Sequence, residues 1–171
     1  VYVSSKNLSR ITKIDYITKE IIWNMGKQWL GDPTIRPDTL FSVQHGLRIL
    51  ENGNIIIFDN GLMSGYFDGS GEYYSRALEL KVSQENDEYI SETIWSFTLP
   101  LELYGTISGN VQKLKNENYL ITTVGSTDGA HSLEVTQSGN IVWDCKYNVG
   151  TPQGAIYRAM RTPALYQSEY Q

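Results

Sequence analysis

The chain has 171 residues, of which 40% are hydrophobic and 12% aromatic, and this length and composition suit one globular domain rather than two. Its 14 Lys and Arg residues against 19 Asp and Glu residues give a net charge of -5, so a nucleic-acid partner has no electrostatic support. Its one cysteine, Cys145, rules out an intrachain disulfide and a cysteine-based metal cluster, and no apolar run reaches the roughly 18 residues of a membrane span.

The N-terminal stretch VYVSSKN already alternates like a β-strand. Alternation of Val, Ile, Tyr and Trp with polar residues continues along the chain, and no long segment keeps a 3.6-residue apolar stripe. We therefore predict an all-β fold of antiparallel strands. Neither an initiator Met nor a signal peptide stands before the first strand, so we expect that an N-terminal portion of the protein is missing.

Two hairpins share one pattern. LRILENGNIIIF has a second copy in VQKLKNENYLIT, which aligns Asn52-Gly53-Asn54 with Asn116-Glu117-Asn118. Asn-Gly between alternating strands is typical of a type I′ turn, because both central residues need a positive φ. We predict this turn for the first hairpin, while Glu117 makes the second copy weaker.

A pair made of a β-branched residue and Trp ends each repeat, at Ile22-Trp23, Ile94-Trp95 and Val142-Trp143. The last two Trp residues are 48 positions apart, close to the roughly 40–50 residues of a four-stranded β-propeller blade. We interpret the β-branched–Trp pairs as packing between blades.

This spacing divides the chain into parts of a propeller. We predict half a blade in residues 1–26, whole blades in 38–99 and 105–147, and a last strand or cap in 148–171. Two and a half blades cannot close a ring, since propellers need at least about four. The chain is therefore expected to pair with missing N-terminal blades of the same polypeptide, with another subunit, or with a copy of itself.

Four segments occur here in a characteristic order: SSKNLSRITKIDYITKEIIWNMG, FSVQHGLRILENGNIIIFDNG, YYSRALELKV and YRAMRTPALY. Together they resemble the arylsulfotransferase family. The resemblance implies a six-bladed propeller that is usually exported to the periplasm or outside the cell. It implies transfer of a sulfuryl group from a phenolic sulfate to a phenol through a histidine, without a nucleotide donor, and we expect neither a cofactor nor a metal ion.

The resemblance places His45, of the QH motif, as the nucleophile or a sulfate-binding histidine. An imidazole is largely uncharged near pH 7 and can act as a nucleophile. Charge on the sulfate oxygens needs fixed cationic or N–H donors, and the available candidates for substrate binding are Lys6, Asn7, Arg48 and Arg76.

Three positions depart from the family pattern. The expected Gln-His-Asp ends in Gly46, the expected Arg is Lys6, and Asn7 stands where active members can have His. Lys lacks the bidentate geometry with which Arg holds an oxyanion. A non-catalytic propeller, serving as a binding or structural module, is therefore the alternative interpretation.

Three other features favour a structural role. His131 lies beside a turn without any motif, and we expect it in a surface loop. Asp59-Asn60-Gly61 is typical of turn chemistry, in which short polar side chains satisfy nearby backbone donors. The DGSGE stretch at residues 68–72 lacks the spacing of a calcium-binding loop.

Overall fold

The computed structural model describes residues 1–27, 41–148 and 156–162. Eleven strands in this part of the chain form three antiparallel sheets, each with its strands in sequence order. The all-β prediction is confirmed. None of the helices in the described ranges is long and apolar enough to cross a membrane.

The first sheet contains β1 (Tyr2–Ser5), β2 (Arg10–Ile14) and β3 (Ile21–Gly26). A 3₁₀ helix, Lys6–Leu8, joins β1 to β2. Residues 1–26, predicted as half a blade, thus contribute three strands to one sheet.

The middle sheet contains β4 (His45–Ile49), β5 (Ile55–Asp59), β6 (Arg76–Glu85) and β7 (Glu88–Thr98). A single turn of helix, α1 (Ser64–Phe67), lies in the connection between β5 and β6.

The third sheet contains β8 (Ile107–Lys113), β9 (Tyr119–Ser126), β10 (Gly129–Val135) and β11 (Ile141–Tyr147). A second 3₁₀ helix, Leu101–Leu103, precedes β8. Residues 156–162 form no regular strand, and the rest of the predicted C-terminal strand or cap lies outside the described residues.

The middle sheet is covered on both faces. Ile55 and Ile57 of β5 pack with the first sheet, while Ile56 and Phe58 pack with the third. Burial on both faces explains why β5 reads as a continuous apolar run rather than an alternating one. Fully burying each such side chain contributes about 1.5–3 kcal/mol.

The two matching hairpins adopt the same turn, and it is not the predicted type I′. The backbone N–H of Gly53 donates to the carbonyl of Leu50, and that of Glu117 donates to Leu114. Only Gly53 has a positive φ within its Asn-Gly pair, and Glu117 has a φ of +65° at the equivalent position. Each loop is therefore a three-residue connection that ends in a left-handed residue.

A cluster of polar and aromatic side chains links the middle and third sheets. Trp95 of β7 stacks on Tyr119 of β9, with ring centroids 3.6 Å apart. Beside them Glu79 is only 1% exposed, and it accepts hydrogen bonds from Tyr119, Asn54 and Lys113. Burial alone would raise the pKa of Glu79, but these hydrogen bonds hold it below its usual range.

The third sheet contains a similar arrangement, in which a buried glutamate accepts hydrogen bonds from the asparagines of the hairpin turn. Glu134 of β10 accepts hydrogen bonds from Asn118 and Asn116 at 2.7 and 3.0 Å. Arg161, from the segment 156–162, lies 2.7 Å from the second carboxylate oxygen. The two amide side chains and then this guanidinium lower the pKa of Glu134 to about 2.

Candidate functional site

His45 begins β4 at a β-bulge. It pairs with Phe58 of β5, and the next pair of the ladder is Arg48 with Ile56. β4 therefore has one residue more than β5 between these pairs, and Gly46 within the bulge has a φ of +66°. Because the two β5 residues share one face, the bulge places His45 and Arg48 together on the face toward the third sheet.

The imidazole of His45 is half-buried and belongs to neither hydrophobic cluster. Its Nδ1 lies 2.7 Å from Oδ1 of Asn60, the residue that follows β5. Within residues 1–27, 41–148 and 156–162, Nε2 of His45 makes no hydrogen bond. One ring nitrogen is thus held by Asn60, and the other has no hydrogen-bond partner among the described residues.

Gly46 occupies the place of the expected acidic residue because two strands meet there. A Cβ at this position would lie 2.8 Å from Cα of Asn110 and 3.1 Å from the carbonyl oxygen of Gly109. These distances are shorter than carbon and oxygen contacts in a packed protein allow. The absent carboxylate therefore follows from the close approach of β4 and β8.

Arg48, predicted to bind the substrate, is half-buried on the same face as His45. Its Nη2 donates to Sδ of Met160 in the segment 156–162. A thioether is a weak acceptor, so this contact leaves the guanidinium available to a stronger anionic partner.

The segment 156–162 runs beside β8 and is held there by two amide side chains. Asn110 donates to the carbonyl of Ala159 at 2.9 Å and accepts from its N–H at 3.1 Å. Gln112 makes the same pair of bonds with Arg161, at 2.9 and 2.8 Å. Because Met160 lies between these two anchored residues and accepts from Arg48, the segment reaches from β8 to the side chain of Arg48.

Arg76, the other predicted arginine, forms an ion pair with Asp59. Its Nε and Nη2 lie 3.1 and 2.6 Å from Oδ2 of Asp59. The other carboxylate oxygen accepts from the backbone N–H groups of Ser42 and Gly61, which confirms the turn chemistry predicted for Asp59. Burial raises the pKa of Asp59, and the neighbouring guanidinium opposes that rise. This ion pair competes with binding of a sulfate by Arg76.

Lys6 and Asn7 are exposed in the 3₁₀ helix that follows β1. The residues on either side of this turn contact the segment that leads into β4, because Gln44 donates to the hydroxyl of Ser4 at 3.0 Å and the N–H of Val43 donates to the hydroxyl of Ser9 at 3.1 Å. Neither side chain forms a hydrogen bond with His45 in the described part of the chain. The structure thus places Lys6 and Asn7 near the segment that leads into β4, without a hydrogen bond from either side chain to the imidazole.

Asn60 is the site residue that the sequence interpretation missed, since it was assigned to turn chemistry alone. Pairing of His45 with Phe58 would have indicated it, because a residue two positions after Phe58 points to the same face. The bulge in β4 cannot be recognised from the sequence. Without it, the register of the β4–β5 hairpin, and so the pairing of His45 with Phe58, cannot be derived.

The expectation of a surface loop for His131 is wrong. His131 belongs to β10, is 4% exposed, and lies between two carboxylates. Its Nδ1 is 2.9 Å from Asp144 and its Nε2 is 3.0 Å from Asp128. Both ring nitrogens are engaged, so His131 is a structural residue in this arrangement.

The described residues contain no group of three or more His, Cys, Asp or Glu side chains placed to hold a metal ion. At the DGSGE stretch, Asp68 instead accepts hydrogen bonds from Ser70 and from the hydroxyl of Tyr74.

Comparison with protein families identifies the chain. The sequence model of the arylsulfotransferase (ASST) family matches residues 1–158. The chain belongs to this family. Membership supports a function of the arylsulfotransferase type and aryl sulfates as the class of substrate. Among individual curated proteins, no sequence matches this arylsulfotransferase-family chain significantly.

Proposed function

We propose that the protein transfers a sulfuryl group from a phenolic sulfate to a phenol, with His45 as the nucleophile and no nucleotide donor. The observation that carries the proposal is the state of the His45 ring, in which one nitrogen is held by Asn60 and the other has no partner in the described residues. Family membership supplies the substrate class.

The reaction proceeds in two displacements at sulfur. A ring nitrogen of His45 forms an N–S bond while the S–O bond to the donor aryl group breaks, and the electron pair leaves with the phenolate. The acceptor phenol then gives up its proton to solvent or a nearby base and forms a new S–O bond. The N–S bond breaks and its electron pair returns to the imidazole.

Arg48 is the cation best placed to offset the charge of the sulfate oxygens. It shares the face of His45 through the bulge and is otherwise engaged only with a thioether in the described residues. Lys6 and Asn7 act as outer contacts from the neighbouring turn. Arg76 contributes through Asp59, whose position beside Asn60 keeps the end of β5 in place.

A non-catalytic binding or structural module is the second candidate. It is favoured by the ion pair that occupies Arg76 and by the loss of the acidic residue at Gly46. The enzyme and the module differ in one respect that can be measured, namely whether His45 becomes sulfated.

The test uses 4-nitrophenyl sulfate as donor and phenol as acceptor. We expect nitrophenolate release by the wild-type protein, a loss of at least ~100-fold in His45→Gln, and a sulfated peptide containing His45 by mass spectrometry. His131→Gln, with its fold verified by circular dichroism, is the matched control and should retain the activity. No release by the wild type, or unchanged release in His45→Gln, would exclude the nucleophile role and favour the binding module.

We propose further that the three sheets are blades of a closed six-bladed propeller. The two end sheets expose apolar side chains on the faces turned away from the middle sheet, namely Val1, Val3, Ile21 and Trp143. Missing N-terminal blades, another subunit or a copy of the chain would cover them. A location in the periplasm or outside the cell is part of this proposal.

A further inference from the structure

We propose that Asn60 is a positioning residue that fixes His45 in the tautomer with hydrogen on Nδ1, so that Nε2 is the atom that receives the sulfuryl group. This inference rests on the proposed function for the role of Nε2. The tautomer itself follows from the hydrogen bonds around Asn60 and can be measured without any reaction.

The orientation of the Asn60 amide is determined by its own donors. Asn60 is 0% exposed, and its Nδ2 lies 2.8 Å from the carbonyl oxygen of Gly105 and 3.0 Å from that of Ser108. Carbonyl oxygens only accept, so both must face the NH₂ group of the amide. The atom toward His45 is therefore Oδ1.

This orientation leaves one choice for the imidazole. Oδ1 of Asn60 is an acceptor, and Nδ1 of His45 lies 2.7 Å from it. Two acceptors do not form a hydrogen bond, so Nδ1 must carry the hydrogen. In a neutral ring the lone pair is then on Nε2, which has no partner in the described residues.

The third sheet holds Asn60 in place. The backbone at Ser108 and Gly109 has φ values of +50° and +100°, and this irregularity in β8 lies where the Ser108 carbonyl accepts from Asn60. On the other side, the hydroxyl of Ser75 lies 3.1 Å from the carbonyl of Asn60 and 3.0 Å from the N–H of Gly105. Asn60 is thus fixed between the middle and third sheets, and its hydrogen bond to Nδ1 fixes the orientation of the His45 ring.

An amide suits a nucleophilic histidine better than a carboxylate would. A neutral oxygen orients the ring without placing a negative charge beside it, whereas a carboxylate would favour the imidazolium, whose Nε2 has no lone pair. After attack, the N–S bond is on Nε2 and the hydrogen remains on Nδ1, still donated to Asn60. The same bond therefore orients the ring in both displacements.

The tautomer is tested by ¹⁵N NMR on the full chain labelled at histidine. The chain has 2 His residues, and spectra of His131→Gln assign the signals of His45. We expect a pyrrole-type Nδ1 and a pyridine-type Nε2 for neutral His45. The reverse pattern would overturn the inference whatever the activity of the protein.

Two variants test the role in catalysis. Asn60→Asp keeps the acceptor but adds a charge, so the acid limb of the pH profile of kcat/KM should move up by about one unit or more. Asn60→Leu removes the acceptor, and kcat should fall by ~10-fold or more with a smaller change in KM. Asn140→Asp, the same change in the β10–β11 turn, is the matched control and should leave the profile unchanged.

The outcomes separate the two proposals. An unchanged acid limb in Asn60→Asp, or an unchanged His45 tautomer in Asn60→Leu, would overturn the positioning role. A wild-type protein with hydrogen on Nδ1 but without sulfuryl transfer would exclude the proposed function and support the assignment of the tautomer. The wild-type spectrum decides the tautomer even if the Asn60 variants fail to fold.

Discussion

At the scale of single residues, the close approach of β4 and β8 decides what can stand beside His45. Gly46 has a positive φ and no room for a Cβ, whereas Gly53, in the hairpin turn, has a φ of +85° and open space around it. A substitution at Gly53 therefore measures the cost of backbone strain alone, whereas one at Gly46 measures strain together with steric exclusion.

We expect Gly46→Ala to destabilise the protein by about 3 kcal/mol, and Gly53→Ala by about 1 kcal/mol. A left-handed conformation costs a non-glycine residue roughly 1–2 kcal/mol, and overpacking adds about 1–3 kcal/mol. Urea unfolding of both variants measures the difference. Equal costs would show that Asn110 moves aside easily and that packing is not the reason for the glycine.

The ion pair of Arg76 and Asp59 shows a limit of sequence interpretation at this scale. A lone arginine at the start of a strand looks like a candidate for an anion, and its partner is 17 positions away. Only the pairing of β5 with β6, which sets Asp59 opposite Arg76, brings the two together. The anion that Arg76 binds in this structure is therefore the carboxylate of Asp59 and not a ligand.

At the scale of elements, the β8–β9 hairpin and the segment 156–162 are joined through Glu134. Asn116 and Asn118 donate from the hairpin, and Arg161 donates from the segment. The pKa of Glu134, lowered from 4.5 to about 2, means that the folded protein favours the ionised carboxylate.

Glu134→Gln should therefore lower the free energy of unfolding at pH 7, by about 1–2 kcal/mol as is typical of hydrogen bonds to a charged group. A carboxyl with a lowered folded pKa stabilises the protein above its unfolded pKa, and this stability is lost as the pH falls through the folded value. The difference between wild type and variant should shrink from about pH 4.5 to about pH 2. Thermal unfolding across this range measures it, and a constant difference would contradict the assignment.

The strands and hairpins could be predicted because their signals are local. Alternation indicates a strand, and Asn-Gly indicates a turn. The type of turn could not be predicted, since it depends on φ at Asn52, which is not positive. The burial of His131 and the contact of Asn60 were missed for a related reason, because both depend on which residues of separate strands lie opposite each other.

At the scale of the whole molecule, the sheets repeat one way of packing. Trp23 and Trp95 each pack between their own sheet and the next sheet in sequence, and Trp143 occupies the equivalent place on the third sheet. Trp143 is 43% exposed. The sequence predicted that these tryptophans pack between repeats. Whether Trp143 is buried depends on what lies against the third sheet.

We expect Trp95→Leu to cost about 2–3 kcal/mol in unfolding free energy, because it removes the stack on Tyr119 and the hydrogen bond of Nε1 to the carbonyl of Gln137. Trp143→Leu should cost less than about 1 kcal/mol, as is usual for exposed positions. Urea unfolding of the two variants under identical conditions makes the comparison. A similar loss in both would mean that Trp143 is covered in solution.

The contact between Gly46 and Asn110 also bears on how such a chain can change. An acidic side chain beside His45 has no space while β8 keeps its present course, since the Cβ added at position 46 would lie 2.8 Å from the Cα of Asn110 and 3.1 Å from the carbonyl oxygen of Gly109. Both of these atoms belong to the main chain, so a substitution of Asn110 alone is not expected to make room for a carboxylate at position 46. A directed-evolution library that seeks to restore a carboxylate next to His45 should therefore include insertions and deletions near the start of β8, which can shift its main chain, together with changes at residue 46.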